Sequence, residues 1–112
     1  MRVKDVEGAK RRWVRLTQED DLGFWWLADD VRELLPGAQE EEIRRETLAA
    51  LRSLMKAGVL FAADQLDNGE FEIWDGSVDE QLARIDAEWA KLPRQPTLGD
   101  VAWIVGPRRV RR

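Results

Sequence analysis

The 112-residue chain has no cysteine, no histidine and no tyrosine. Without cysteine there is no disulfide, no thiolate nucleophile and no cysteine metal ligand. Without histidine the commonest general base and the commonest metal ligand are missing too. Any catalysis would have to rest on carboxylates, lysine, serine or threonine. No apolar run approaches the roughly 20 residues that span a bilayer. The N-terminal stretch has no apolar h-region and sets Lys4, Lys10, Arg11 and Arg12 among acids, so it does not read as a signal peptide. Repeats and low-complexity segments are absent as well. These absences suit a cytoplasmic protein with no cofactor, no metal and no membrane contact.

What is present describes a globular domain. Apolar residues make up 44% of the chain and charged residues 36%, a balance that can bury one modest core. The charge is laid out unevenly. Residues 1–16 carry a net of +4, residues 17–80 a net of −12, residues 81–106 a net of zero and residues 107–112 a net of +4. The expected organisation is one domain over residues 1–106 followed by a basic tail, 107–112. An anionic body attracts a basic partner and repels nucleic acid over most of its surface. Six tryptophans are many for this length. They fill a small core, or one or two of them anchor a partner.

Local patterns assign most of the chain. Residues 1–10 show no periodicity. Arg12-Trp13-Val14-Arg15-Leu16 alternates and reads as a short edge strand, which could pair with its counterpart in a dimer. Thr17 then begins a helix, with Asp20 closing a capping box and Phe24, Leu27, Ala28, Val31 and Leu35 on its apolar face. Pro36-Gly37 ends it. A second helix runs from about Gln39 to Ala57, with Glu40, Glu41 and Glu42 in its first turn and Ile43, Thr47, Ala50, Leu51 and Leu54 on one face. Gly58 stops it. Val59 to Ala63 reads as a strand, Leu66-Asp67-Asn68-Gly69 as a hairpin turn, and Glu70 to Asp75 as the return strand. Phe71 and Ile73 share one face of that strand, with Glu70, Glu72 and Trp74 on the other. Ser77 and Glu80 form a second capping box, and Val78, Leu82, Ile85, Trp89 and Leu92 recur at helical spacing until Pro93. Residues 97–105 fit a last short helix or, over 101–105, a strand.

A short strand, two helices joined by a tight turn, a β-hairpin and a further helix form an α+β, winged-helix-like arrangement. The second helix would be the recognition helix and the Asp67–Gly69 turn the wing. The Phe71/Ile73 face would supply the wall that covers the helices. A generic α+β domain is the alternative.

The chain also resembles small bacterial proteins associated with polymorphic-toxin loci. The likeness covers roughly residues 22–105. It is carried by the run Leu48-Ala49-Ala50-Leu51-Arg52-Ser53-Leu54-Met55-Lys56-Ala57-Gly58-Val59-Leu60, and by Trp74-Asp75 before Ser77-Val78-Asp79-Glu80. Ala87-Glu88-Trp89 and Pro96-Thr97-Leu98-Gly99-Asp100 with Trp103 complete it. The resemblance implies an immunity protein, which guards a cell against its own toxin.

Three functional classes follow. The first is a protein-binding domain that blocks a basic partner by occlusion. Trp25 or Trp26 would be the anchor, and Asp29, Asp30, Glu33, Glu40, Glu41 and Glu42 the anionic surface. Trp26 lies away from the Phe24/Leu27/Val31 face, so it is exposed or covered by residues 1–16 or the C-terminal segment. The second is a winged-helix DNA-binding regulator that uses the stripe Arg45, Arg52 and Lys56, with Arg108 and Arg109 gripping phosphate. Against it stand the acids that open the recognition helix and the acids of the wing. Those acids also serve the helix itself, through Glu40–Arg44 and Glu41–Arg45 pairs. The third class, an enzyme built on Asp29/Asp30 or Glu40–Glu42, is weakest. Adjacent acids on a helix point apart, and no glycine-rich phosphate loop accompanies them. No catalytic residue is assigned. The terminal arginines are a frayed tail, or they fold back onto the acidic body. The expected state is a monomer or homodimer.

Overall fold

A computed structural model describes residues 5–93 and 101–110. Helix α1 spans Val6–Leu16, strand β1 Leu22–Gly23, α2 Phe24–Leu34 and α3 Glu40–Lys56. Strands β2 (Phe61–Gln65) and β3 (Phe71–Ile73) form the hairpin, followed by α4 (Val78–Ala90) and β4 (Trp103–Val105). Pro107–Arg109 closes the order with a turn of 3-10 helix. The protein is thus α+β, with an antiparallel sheet in the order β1-β4-β2-β3 among the described residues.

The largest departure from the sequence expectation is at the N-terminus. Residues 12–16 are helical, so the edge strand and the dimer contact assigned to it do not exist. Alternation over five residues was too short a window. Across 6–16 the apolar side chains Val6, Ala9, Trp13 and Leu16 follow a helical period and pack on the core. Asp5 caps this helix, its Oδ1 accepting from the Gly8 amide at 2.7 Å. Thr17 does not begin the next helix. Its hydroxyl donates back to the carbonyls of Trp13 (2.9 Å) and Val14 (3.0 Å), so it ends α1, and α2 starts only at Phe24.

The later elements lie close to their expected positions. The Ser77/Glu80 capping box is formed at the start of α4. Helix α3 is bounded within a residue of the expected ends. The hairpin turn closes through Gly69 N–H donating to Leu66 C=O at 2.9 Å, and Gly69 sits at φ +87°, where a side chain would be strained. Of the two possibilities for 101–105, the strand is realised. The expected helix start at Thr97–Asp100 and the tail residues Arg111 and Arg112 lie outside the described residues. No helix among the described residues is long and apolar enough to cross a membrane.

Strand β4 enters the sheet between β1 and β2, with Ile104 opposite both Leu22 and Ala62. It decides which face is covered. Leu22, Ala62, Trp74 and Ile104 join the core formed with the four helices. The wall expected from Phe71 and Ile73 is therefore inverted. Those two side chains lie on the opposite face, half-buried, where Trp103 packs edge-on against both Trp25 and Phe71 with centroids 5.7 Å apart in each pair. Gly23 makes this possible, because a Cβ there would fall inside the Trp25 ring.

Candidate functional site

The residues expected at a partner surface divide into three groups. Trp25 is spent on the outer sheet face against Trp103. Asp30 and Glu40 are committed to indoles of the fold, Asp30 half-buried and Glu40 with its side chain still exposed. Trp13 is fully buried, and its Nε1 donates to Asp30 Oδ2 at 2.8 Å. Trp89 is nearly as buried, and its Nε1 donates to Glu40 Oε2 at 3.1 Å. A buried indole N–H needs an acceptor, and these two carboxylates supply it. Trp26, Asp29, Glu33, Glu41 and Glu42 remain exposed.

The exposed group has its own geometry. Trp26 is 38% exposed, and the Arg12 guanidinium of α1 lies 6.0 Å from its ring centroid. Asp29 and Glu33 follow it at three and seven residues along α2, one helix face. Arg32 ties that face to the start of α3, donating to Asp29 Oδ1 at 2.8 Å and to both oxygens of Glu40 at 3.0 and 2.8 Å. Glu41 and Glu42 follow Glu40 as exposed residues of the first turn of α3, where the helix dipole favours negative charge. Partial burial pushes the Asp29 carboxyl above its ordinary value, and the neighbouring charges of Asp30 and Glu33 add to this while Arg32 opposes it.

The cations expected to face DNA are largely engaged. Arg52 donates to Asp79 Oδ1 at 2.9 Å, and Lys56 reaches Asp79 Oδ2 at 3.4 Å. Arg44, expected to pair with Glu40, instead meets Asp86 of α4 at 2.8 Å. The Arg52 hydrogen bond holds the Asp79 carboxyl below its ordinary range. Arg45 stays exposed on α3. Arg108 and Arg109 fold back, as one of the two readings of the tail has it. Arg109 grips Asp21 with both Nε (3.0 Å) and Nη2 (2.6 Å), and Arg108 Nη2 joins at 3.0 Å. Asp21 raises the pKa of Arg109.

One concave site was not foreseen. The β2–β3 hairpin and α4 enclose a cleft of about 590 Å³ whose wall includes Asp64, Glu72, Trp74, Asp75, Glu80 and Arg84. Trp74 is only 8% exposed, and its Nε1 has no hydrogen-bond partner among the described residues. Such an orphan costs roughly 1–3 kcal/mol. The acidic hairpin was visible in the sequence, but the inversion that turns Trp74 inward beside it was not. Among the described residues no cluster of acids is placed to hold a metal ion.

Comparison with protein-family models, with curated proteins and with solved structures finds no match.

Proposed function

We propose that this chain is a non-enzymatic, cytoplasmic protein-binding domain that engages a basic partner through the α2–α3 surface, in the manner of an immunity protein occluding a toxin. The observation that carries the reading is Trp26. A large aromatic side chain stays exposed on a helix face shared with Asp29 and Glu33, and Arg32 links that face to the first turn of α3, which also exposes Glu41 and Glu42. Aromatic anchors ringed by charge are typical of binding hot spots, and the acidic ring would speed association with a cationic partner. The element order from α1 to β3 supports a winged-helix-like description. The DNA-binding use of such a domain is disfavoured, because Arg52 and Lys56 are already engaged by Asp79, and Arg108 and Arg109 by Asp21.

The test is affinity capture from the protein's own cells at moderate salt, with bound protein and nucleic acid quantified together. One stoichiometric basic protein is expected, lost on Trp26→Ala and on Glu41→Lys with Glu42→Lys, and a toxin-neutralisation assay then follows. Co-purifying DNA that falls away steeply with salt, or capture indifferent to these substitutions, refutes the proposal.

A further inference from the structure

Three tryptophans are buried behind the sheet and between the helices, and two of them donate to a carboxylate. Trp74 does not, and it forms part of the wall of the acidic cleft. The cleft carries a second imbalance. Asp64 and Glu72 stand directly opposite each other on β2 and β3, and like charges so placed oppose strand pairing. Arg84 approaches Asp64 at 3.6 Å. Neither Glu72 nor Asp75 meets a cation among the described residues. Glu80 is committed to the helix cap, where the Ser77 amide holds its carboxyl below the ordinary range.

The cleft already shows what it accepts. The Arg84 guanidinium lies 3.7 Å from the Trp74 ring centroid, and its Nε donates to Glu88 Oε2 at 2.8 Å. A guanidinium on an indole face, steadied by carboxylates, is thus the local solution the fold has found once. The Arg84 side chain is half exposed and covers the ring from the solvent side.

Among the described residues the adjoining backbone is also unpaired. Among the described residues β3 is the edge of the sheet. Trp74 N–H donates to Ala62 C=O at 3.0 Å and Leu66 N–H to Glu70 C=O at 2.7 Å. By antiparallel alternation, residues 70, 72 and 74 face β2, and the main-chain groups of Phe71 and Ile73 turn outward.

We infer that this cleft is a docking site for an extended, arginine-bearing peptide segment of another protein. The segment pairs with the outer edge of β3 and places an arginine between Glu72, Asp75 and Asp64. There a planar fork matches the carboxylates better than an ammonium does. It displaces Arg84 from Asp64 and from the ring while Arg84 keeps Glu88, and a peptide carbonyl becomes the missing acceptor of Trp74 Nε1. A bare cation offers no such acceptor. The site is separate from the α2–α3 surface and stands whether or not that surface has a partner.

The experiment is an NMR titration of the ¹⁵N-labelled protein with the peptide acetyl-Val-Arg-Val-Arg-Val-amide, its glutamine counterpart and free argininamide. The indole signal of Trp74 is assigned through Trp74→Phe. The arginine peptide is expected to move the Trp74 indole proton downfield and to bind at least about tenfold tighter than the other two probes. Glu72→Gln combined with Asp75→Asn weakens it about tenfold, while Glu41→Gln with Glu42→Gln leaves it unchanged. Both variants are checked for native spectra. Equal binding of the glutamine peptide or of argininamide, an unmoved Trp74 signal, or a dependence on Glu41 and Glu42 overturns the proposal.

Discussion

Removing the Asp30 carboxylate tests whether it serves the fold or a partner. In Asp30→Ala the Trp13 Nε1, now 2.8 Å from its acceptor, is left as a donor on a fully buried side chain. An unsatisfied buried N–H costs about 1–3 kcal/mol. Arg12 adds little, because its Nη1 stands 4.0 Å from Asp30 and is partly exposed. The expected loss is therefore about 2 kcal/mol, which for a domain of this size lowers Tm by roughly 6–12 °C. Asp30→Asn keeps a carbonyl oxygen in reach of the indole and should cost less than about 1 kcal/mol. Urea unfolding followed by circular dichroism measures both, with an unchanged denaturant slope confirming that stability alone has moved. The decisive control is a double-mutant cycle. In a Trp13→Phe background no donor remains, and Asp30→Ala should become nearly neutral, a coupling of about 1–2 kcal/mol. If alanine and asparagine destabilise equally, or the effect survives in the phenylalanine background, Asp30 does not act through Trp13.

Three further outcomes follow from the geometry. Ser77→Ala removes the hydroxyl that accepts from the Glu80 amide at 3.1 Å and should cost about 1 kcal/mol in the same unfolding assay; no loss would mean the capping box contributes nothing. Asp79→Asn should destabilise at neutral pH but not in strong acid. Its carboxyl pKa is depressed by Arg52, so its contribution is present above the unfolded value and is lost as pH falls through the folded one; thermal midpoints against pH for wild type and variant should converge on the acid side, and parallel curves would refute this. Gly106→Ala brings a Cβ to 2.5 Å from the Thr17 carbonyl oxygen, a backbone clash that side-chain rotation cannot relieve, and should cost about 1–3 kcal/mol by calorimetry; a wild-type midpoint would show that the C-terminal segment does not pack so closely on α1.

The elements readable from the chain were those whose signal is complete within a dozen residues. Ser77 with Glu80 and the Leu82/Ile85/Trp89 spacing placed α4. The glutamates before Ile43 and the glycine after Ala57 bracketed α3. The Asn68-Gly69 step placed the hairpin. Arg12 to Leu16 misled because alternation over five residues is compatible with both periods, and only the wider 6–16 stretch reveals the helical one. The candidate surface was legible in the same partial way. Trp26 and the acids around it stand exposed as their helical position requires. Asp30 and Glu40 carry the same local signature, yet each is claimed by an indole 17 or 49 residues away.

The positions of α3 and α4, the hairpin and the anionic character of residues 17–80 were determined by the sequence itself, because capping, turn chemistry and charge are local properties. Tertiary structure alone decided three things: that β4 enters mid-sheet, that Trp74 rather than Phe71 faces the helices, and which carboxylates face solvent. A strand can present either of its faces, and the choice depends on what packs behind it. The insertion of β4 beside Ala62 made that choice here, and with it brought Asp64, Glu72 and a buried indole without an acceptor into one cleft.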